Sequence, residues 1–82
     1  SKEDLNLENI EIFKREIKKL SYEESIFELE VILTNVQDES ISLDKIKQNY
    51  IKGNILLKHC EELLQSVEQE INEINPELLN ID

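Results

Sequence analysis

The chain has 82 residues, about half the length of a common domain, and carries 9 basic and 19 acidic side chains for a net charge of −10. One Gly, one Pro, one Cys, one His and four aromatics exclude collagen-like and Gly/Pro-rich chains, a disulfide scaffold, a zinc ribbon and a hairpin-rich β fold. No run of about 18 apolar residues exists, so no membrane span is expected, and no secretory leader is read.

Segment one runs roughly from Leu5 to Leu20. Ile10, Phe13, Ile17 and Leu20 recur at helical spacing, and Lys14, Arg15, Lys18 and Lys19 crowd the last turns. Cations suit the negative end of a helix dipole, so the plain reading of this cluster is a solvated helix end. The sharper reading is a patch that binds phosphate or an acidic partner.

Segment two opens at Ser21, and Glu24 three residues later completes a capping-box pattern. The apolar stripe Tyr22, Ile26, Leu29, Leu33, Val36 follows a heptad, with Phe27 and Ile32 broadening it. A helix over 22–37 is expected. Residues 37–41 are polar and of a length that joins antiparallel helices.

Segment three has the longest pattern. Leu43, Ile46, Tyr50, Gly53, Leu57, Cys60, Leu64, Val67, Ile71 and Ile74 repeat at +3, +4 without a fault. A strict seven-residue repeat of this length specifies a left-handed coiled coil. Ser42 is the expected N-cap, and Pro76 pushes the preceding residue out of the α region, so the helix spans 43–75. Gly53 costs about 1 kcal/mol of helix propensity against Ala. Its place on the seam suggests a notch for a close-packing partner.

The expected fold is therefore all-α. It comprises an antiparallel helical hairpin (short helix 22–37, long helix 43–75) with a coiled-coil seam, an added N-terminal helix, and an oligomeric state. The domain reading is a variable segment 1–20, a hairpin domain 21–76 and a tail 77–82. At about 1.5 Å per residue the first hairpin helix covers only half of the second. The overhang beyond Cys60 carries Leu63, Leu64, Val67, Ile71 and Ile74. So little chain separates segment one from Ser21 that another chain, not a fold-back, is the expected cover, and self-association follows. The interface residues are Tyr22, Ile26, Leu29, Leu33, Tyr50, Gly53, Leu57, Cys60, Leu64, Val67, Ile71 and Ile74.

Chemistry is sparse. His59 and Cys60 are adjacent and point about 100° apart on a helix, so they do not form a base–nucleophile pair. His59 with Glu62 supplies two metal ligands at most, and Glu24 with Glu28 is a common acidic helix surface. No Gly-rich phosphate loop or nucleophile elbow occurs. No catalytic residue, metal or cofactor is expected. Residues 1–20 are electrically neutral and 21–82 carry the whole −10, a surface that repels phosphate backbones. Direct nucleic-acid contact by 21–82 is not expected. At 39% hydrophobic residues the chain exceeds a disordered acidic tail, and its lone Cys suits a reducing cytosol.

Two blocks carry a resemblance. The first is Leu20-Ser21-Tyr22-Glu23-Glu24-Ser25-Ile26, continued by Glu28-Leu29-Glu30 and Ile32-Leu33. The second is Ile41-Ser42-Leu43-Asp44 followed by Tyr50, Gly53, Leu56 and Cys60. In this register residues 20–71, 52 of the 82, resemble the small subunit of bacterial exodeoxyribonuclease VII. The family usually has Gly where Glu39 stands, a small then an apolar residue at Ile46-Lys47, and an apolar residue at Asn54. The resemblance implies a non-catalytic cytoplasmic accessory protein. Several copies of such a protein bind the long helical region of a large catalytic subunit, which degrades single-stranded DNA from both ends to oligonucleotides. The competing reading is a stand-alone helical adaptor or chaperone that binds a partner through its coiled coil.

Overall fold

The computed structural model describes residues 6–74. Three helices follow one another: α1 (Leu7–Ile17), α2 (Tyr22–Val36) and α3 (Leu43–Ile74). No strand occurs among the described residues, and the fold is all-α. The start of segment one at Leu5, the long helix's last residue Asn75, the Pro76 stop and the tail 77–82 lie outside the described residues.

Each helix starts where a polar side chain satisfies free backbone donors. Asn6 accepts from the Asn9 N–H at 2.9 Å and opens α1. Exposed pairs at i, i+3, Lys14–Glu11 and Lys19–Glu16, both at 3.5 Å, decorate that helix and contribute little. At α2 the Ser21 hydroxyl accepts from the Glu24 N–H at 3.1 Å, while the Glu24 carboxylate accepts from the Ser21 N–H at 2.8 Å. The expected capping box is complete. Ser42 accepts from the Lys45 N–H at 3.2 Å and opens α3 without a reciprocal bond.

The Ser21 N–H first, and the Ser21 hydroxyl second, hold the Glu24 carboxyl below its ordinary value of 4.5. A depressed carboxyl contributes stability above its unfolded pKa and loses it as pH falls through the folded one. Glu24→Ala is therefore expected to melt below the parent at neutral pH, with the gap closing as pH drops under about 4.5. Thermal melts followed by circular dichroism at pH 7 and about pH 3 check this. An equal gap at both would exclude the ionised cap.

The α2–α3 connection ends at a turn that needs no glycine. Asp38 accepts from both the Ser40 N–H, at 2.9 Å, and the Ser40 hydroxyl, at 2.7 Å. Such a turn closes on side-chain hydrogen bonds. No described residue has positive φ, so Glu39 stands without strain where relatives of the resembling family use Gly. α2 ends at Val36 with Gln37 as its C-cap, one residue short of the expected 37.

α2 packs along α3, and α1 also packs on α3. The second contact differs from the expectation that segment one stays away. Lys18, Lys19 and Leu20 are enough chain to turn α1 back, through bonds from the Lys19 N–H to the Glu16 carbonyl and the Leu20 N–H to the Ile17 carbonyl. His59 holds the turn: its Nε2 lies 2.9 Å from the Leu20 carbonyl oxygen, which accepts. Lys52 sits 5.6 Å from the centre of the Phe13 ring, a cation–π contact of about 0.5–1 kcal/mol.

Only four described residues are buried: Ile17, Ser25, Leu56 and Cys60. Every helix contributes, so the core is the junction where α1 and α2 meet the middle of α3. Ser25 is fully covered, and its hydroxyl donates to the Ser21 carbonyl at 2.8 Å, so no hydrogen bond is lost by burying it. α1 seats beside Lys52–Glu62 and leaves the far half of α3 bare. Leu64, Val67 and Ile74 remain exposed. A radius of gyration of 16.4 Å, against about 11–12 Å for a compact chain of this length, reflects that bare helix.

Candidate functional site

The covered face of α3 is rotated from the heptad stripe by about one residue. Leu56 is 1% exposed, whereas its neighbour Leu57 is 48% exposed. Half-buried Gln48, Asn49, Lys52, His59 and Leu63 flank Leu56 and Cys60 on the inner face. Leu43, Ile46, Tyr50, Leu57, Leu64, Val67 and Ile74 of the stripe face outward instead, Tyr50 at 68% and Ile74 at 84%. On α2 the fully covered position is Ser25, with Ile26, Leu29, Ile32 and Val36 half-buried and Leu33 exposed. Ser25 and Cys60, both small, are the buried positions beside Leu56 in this junction.

The open face is not flat. A groove of about 480 Å³ runs between α2 and α3, walled by Leu29, Ile32, Leu33 and Val36 on one side and Ile46, Tyr50, Gly53 and Leu57 on the other. Asn49 and Asn54 are its only polar lining residues. Five of the twelve residues assigned to an interface from sequence come together here: Leu29, Leu33, Tyr50, Gly53 and Leu57. Tyr22 is exposed and Ile26 half-buried elsewhere on α2. Leu64, Val67, Ile71 and Ile74 lie on the bare half of α3, where Ile71 alone is half-buried. Cys60 is different. It is 5% exposed and belongs to the chain's own core, so it is not open to a partner.

Gly53 forms part of the groove floor in ordinary helical geometry. A Cβ built there meets Ile32 Cγ2 at 3.9 Å, a normal van der Waals distance. The notch therefore has room for a methyl. Gly53→Ala is expected to stabilise the helix by up to about 1 kcal/mol, read as a raised urea midpoint. Gly53→Leu fills the groove and is expected to weaken assembly while helicity is kept. A Leu variant that assembles as well as the parent would show the glycine to be incidental.

His59 is engaged with Leu20, not poised over Cys60. Glu24 is spent on its helix cap. Among the described residues no group of three His, Cys, Asp or Glu side chains is placed to hold a metal ion. No helix is long and apolar enough to cross a membrane. Sequence reasoning passed over Ile32, Val36 and Ile46 as groove walls and Leu56 as the core residue, although all four are apolar and helical. The His59–Leu20 bond spans 39 positions and leaves no local signal.

The family model of the exonuclease VII small subunit matches residues 22–73, which takes in α2, the connector and nearly all of α3. The exodeoxyribonuclease 7 small subunit of Bartonella henselae is 36% identical over 64 residues, 78% of this chain and 76% of that protein. That of Rhizobium leguminosarum bv. trifolii is 38% identical over 61 residues, 74% of each chain. No solved structure matches. The match of more than half the chain, with the groove inside it, establishes that the chain belongs to the exonuclease VII small subunit family.

Proposed function

We propose that this chain is the non-catalytic small subunit of an exodeoxyribonuclease VII, and that the α2–α3 pair is an antiparallel hairpin whose open groove seats a helix of the large catalytic subunit. One observation carries the reading: an apolar face, Ile46, Tyr50, Leu57, Leu64 and Val67, is left uncovered along α3. Apolar area of this kind is a helix-in-groove docking surface. Activity on single-stranded DNA belongs to the partner, and this chain's role is to support it.

Self-association through the same face is the state expected when the large subunit is absent. Sedimentation of the isolated chain across the micromolar range measures it, and a stable monomer throughout would count against it. A cytoplasmic location follows from the same reading. A stand-alone adaptor needs the same groove, but the family match favours the nuclease subunit. Co-expression with a candidate large subunit, followed by purification and a single-stranded-DNA degradation assay, separates the two. Co-purification with stimulated degradation supports the subunit, and an inert or unbound large subunit removes it.

A further inference from the structure

The cations of α1 acquire a setting that neither the family match nor the groove explains. A cavity of about 310 Å³ lies between α1 and α3, outside the apolar groove. Lys14 and Lys18 line it from α1, and Lys58 from α3. Ile17 and Ile55 give it apolar walls, His59 borders it, and Glu62 is its one carboxylate. Lys14 pairs with Glu11 at 3.5 Å across an exposed contact. Lys18 and Lys58 make no ion pair or side-chain hydrogen bond among the described residues.

With Lys14 paired to Glu11, Lys18 and Lys58 stand against one lining carboxylate, Glu62, so the site stays locally positive on a chain of net charge −10. Screening makes the local balance decisive, because charges beyond about 8 Å are largely masked at physiological salt. His59 borders the cavity with its Nε2 hydrogen-bonded to the Leu20 carbonyl. That bond and the Phe13–Lys52 contact hold α1 against α3, which places Lys14 and Lys18 on the same cavity as Lys58. Ammonium groups lining a small cavity suit a compact anion such as a terminal phosphate.

We propose that this cavity binds a phosphate group, namely the terminal phosphate of an oligonucleotide. The oligonucleotide part rests on the nuclease-subunit reading above, and the phosphate part rests on the cavity alone. Lys14, Ile17 and Lys18 lie before the family match at 22–73, the other four lining residues lie within it, and Lys58 modifies the expectation that residues 21–82 keep away from phosphate. Its consequence is that the small subunit holds a DNA end or product beside the enzyme.

The test is an amide NMR titration of the full isolated chain with 5′-phosphorylated oligothymidylate, the same oligomer with a 5′-hydroxyl, and inorganic phosphate. The expected result is saturable perturbation around Lys14, Lys18 and Lys58. The phosphorylated oligomer should bind about tenfold tighter than the other two ligands, with affinity falling as salt rises. Lys18→Gln with Lys58→Gln should weaken that binding about tenfold at unchanged helicity, whereas Lys47→Gln should leave it intact. Equal affinity in parent and double variant, or no perturbation at millimolar ligand, overturns the site. Inorganic phosphate binding as well as the oligomer overturns the oligonucleotide assignment. Because the large subunit is absent from the titration, failure here leaves the subunit reading standing, and failure to co-assemble leaves this result standing.

Discussion

Leu56→Ala is expected to lower folding stability by about 2–5 kcal/mol, the largest effect of any single truncation in this chain. Among the described residues Leu56 is the one large side chain that is fully covered, with 1% of its surface exposed. Deleting its isobutyl group removes the transfer free energy and leaves a cavity at the meeting point of three helices. α1 and α2 are both held by short interfaces, so a small chain has little else to compensate. A core of this size rarely supplies more than about 3–5 kcal/mol, which puts the variant at the edge of unfolding. Urea denaturation at one fixed protein concentration measures the loss, because association would otherwise shift the midpoint. A change below about 1 kcal/mol would show that the junction is not the core.

Tyr50→Ala is expected to do the opposite. The ring is 68% exposed on the groove wall, so its loss should change monomer stability by no more than about 0.5 kcal/mol. Binding to the large subunit should fall by about thirtyfold, the effect of removing an aromatic anchor worth about 2 kcal/mol. Isothermal calorimetry or competition with labelled parent reads the affinity, and circular dichroism confirms the helices. A variant that folds and binds like the parent would move the docking face elsewhere. Leu56 and Tyr50 thus separate what holds this chain together from what it holds on to.

These two residues also show where sequence patterning stops. Helix starts were readable because caps are local chemistry: Ser21 with Glu24, and Ser42 with Lys45, need only three positions to declare themselves. The heptad stripe was readable as an apolar face. Which face the chain covers itself was not, because periodicity ranks faces by hydrophobicity and cannot weigh how closely backbones approach. Ser25 and Cys60 are buried in the core, and a hydrophobic count passes over Ser. α1's return onto α3 was missed for a related reason. Its turn is short, but helix ends close in three residues, and the bond from His59 to Leu20 joins positions that no local pattern connects. The lysine cluster was readable as a cluster. Its second half, Lys58, becomes visible only when α1 is laid beside α3.

Cys60 gives the molecule a chemical clock. It is the only thiol in the chain, it is free, and it is buried in the junction where all three helices meet. Alkylating reagents need a solvent-accessible thiolate, so the folded chain is protected and labelling proceeds through opening. The labelling rate in native buffer therefore reports how often α1 and α2 lift from α3, with no probe added to the sequence. An occupant of the outer groove that clamps α2 to α3 slows that rate without touching the sulfur, so docking can be timed from the inside of the protein.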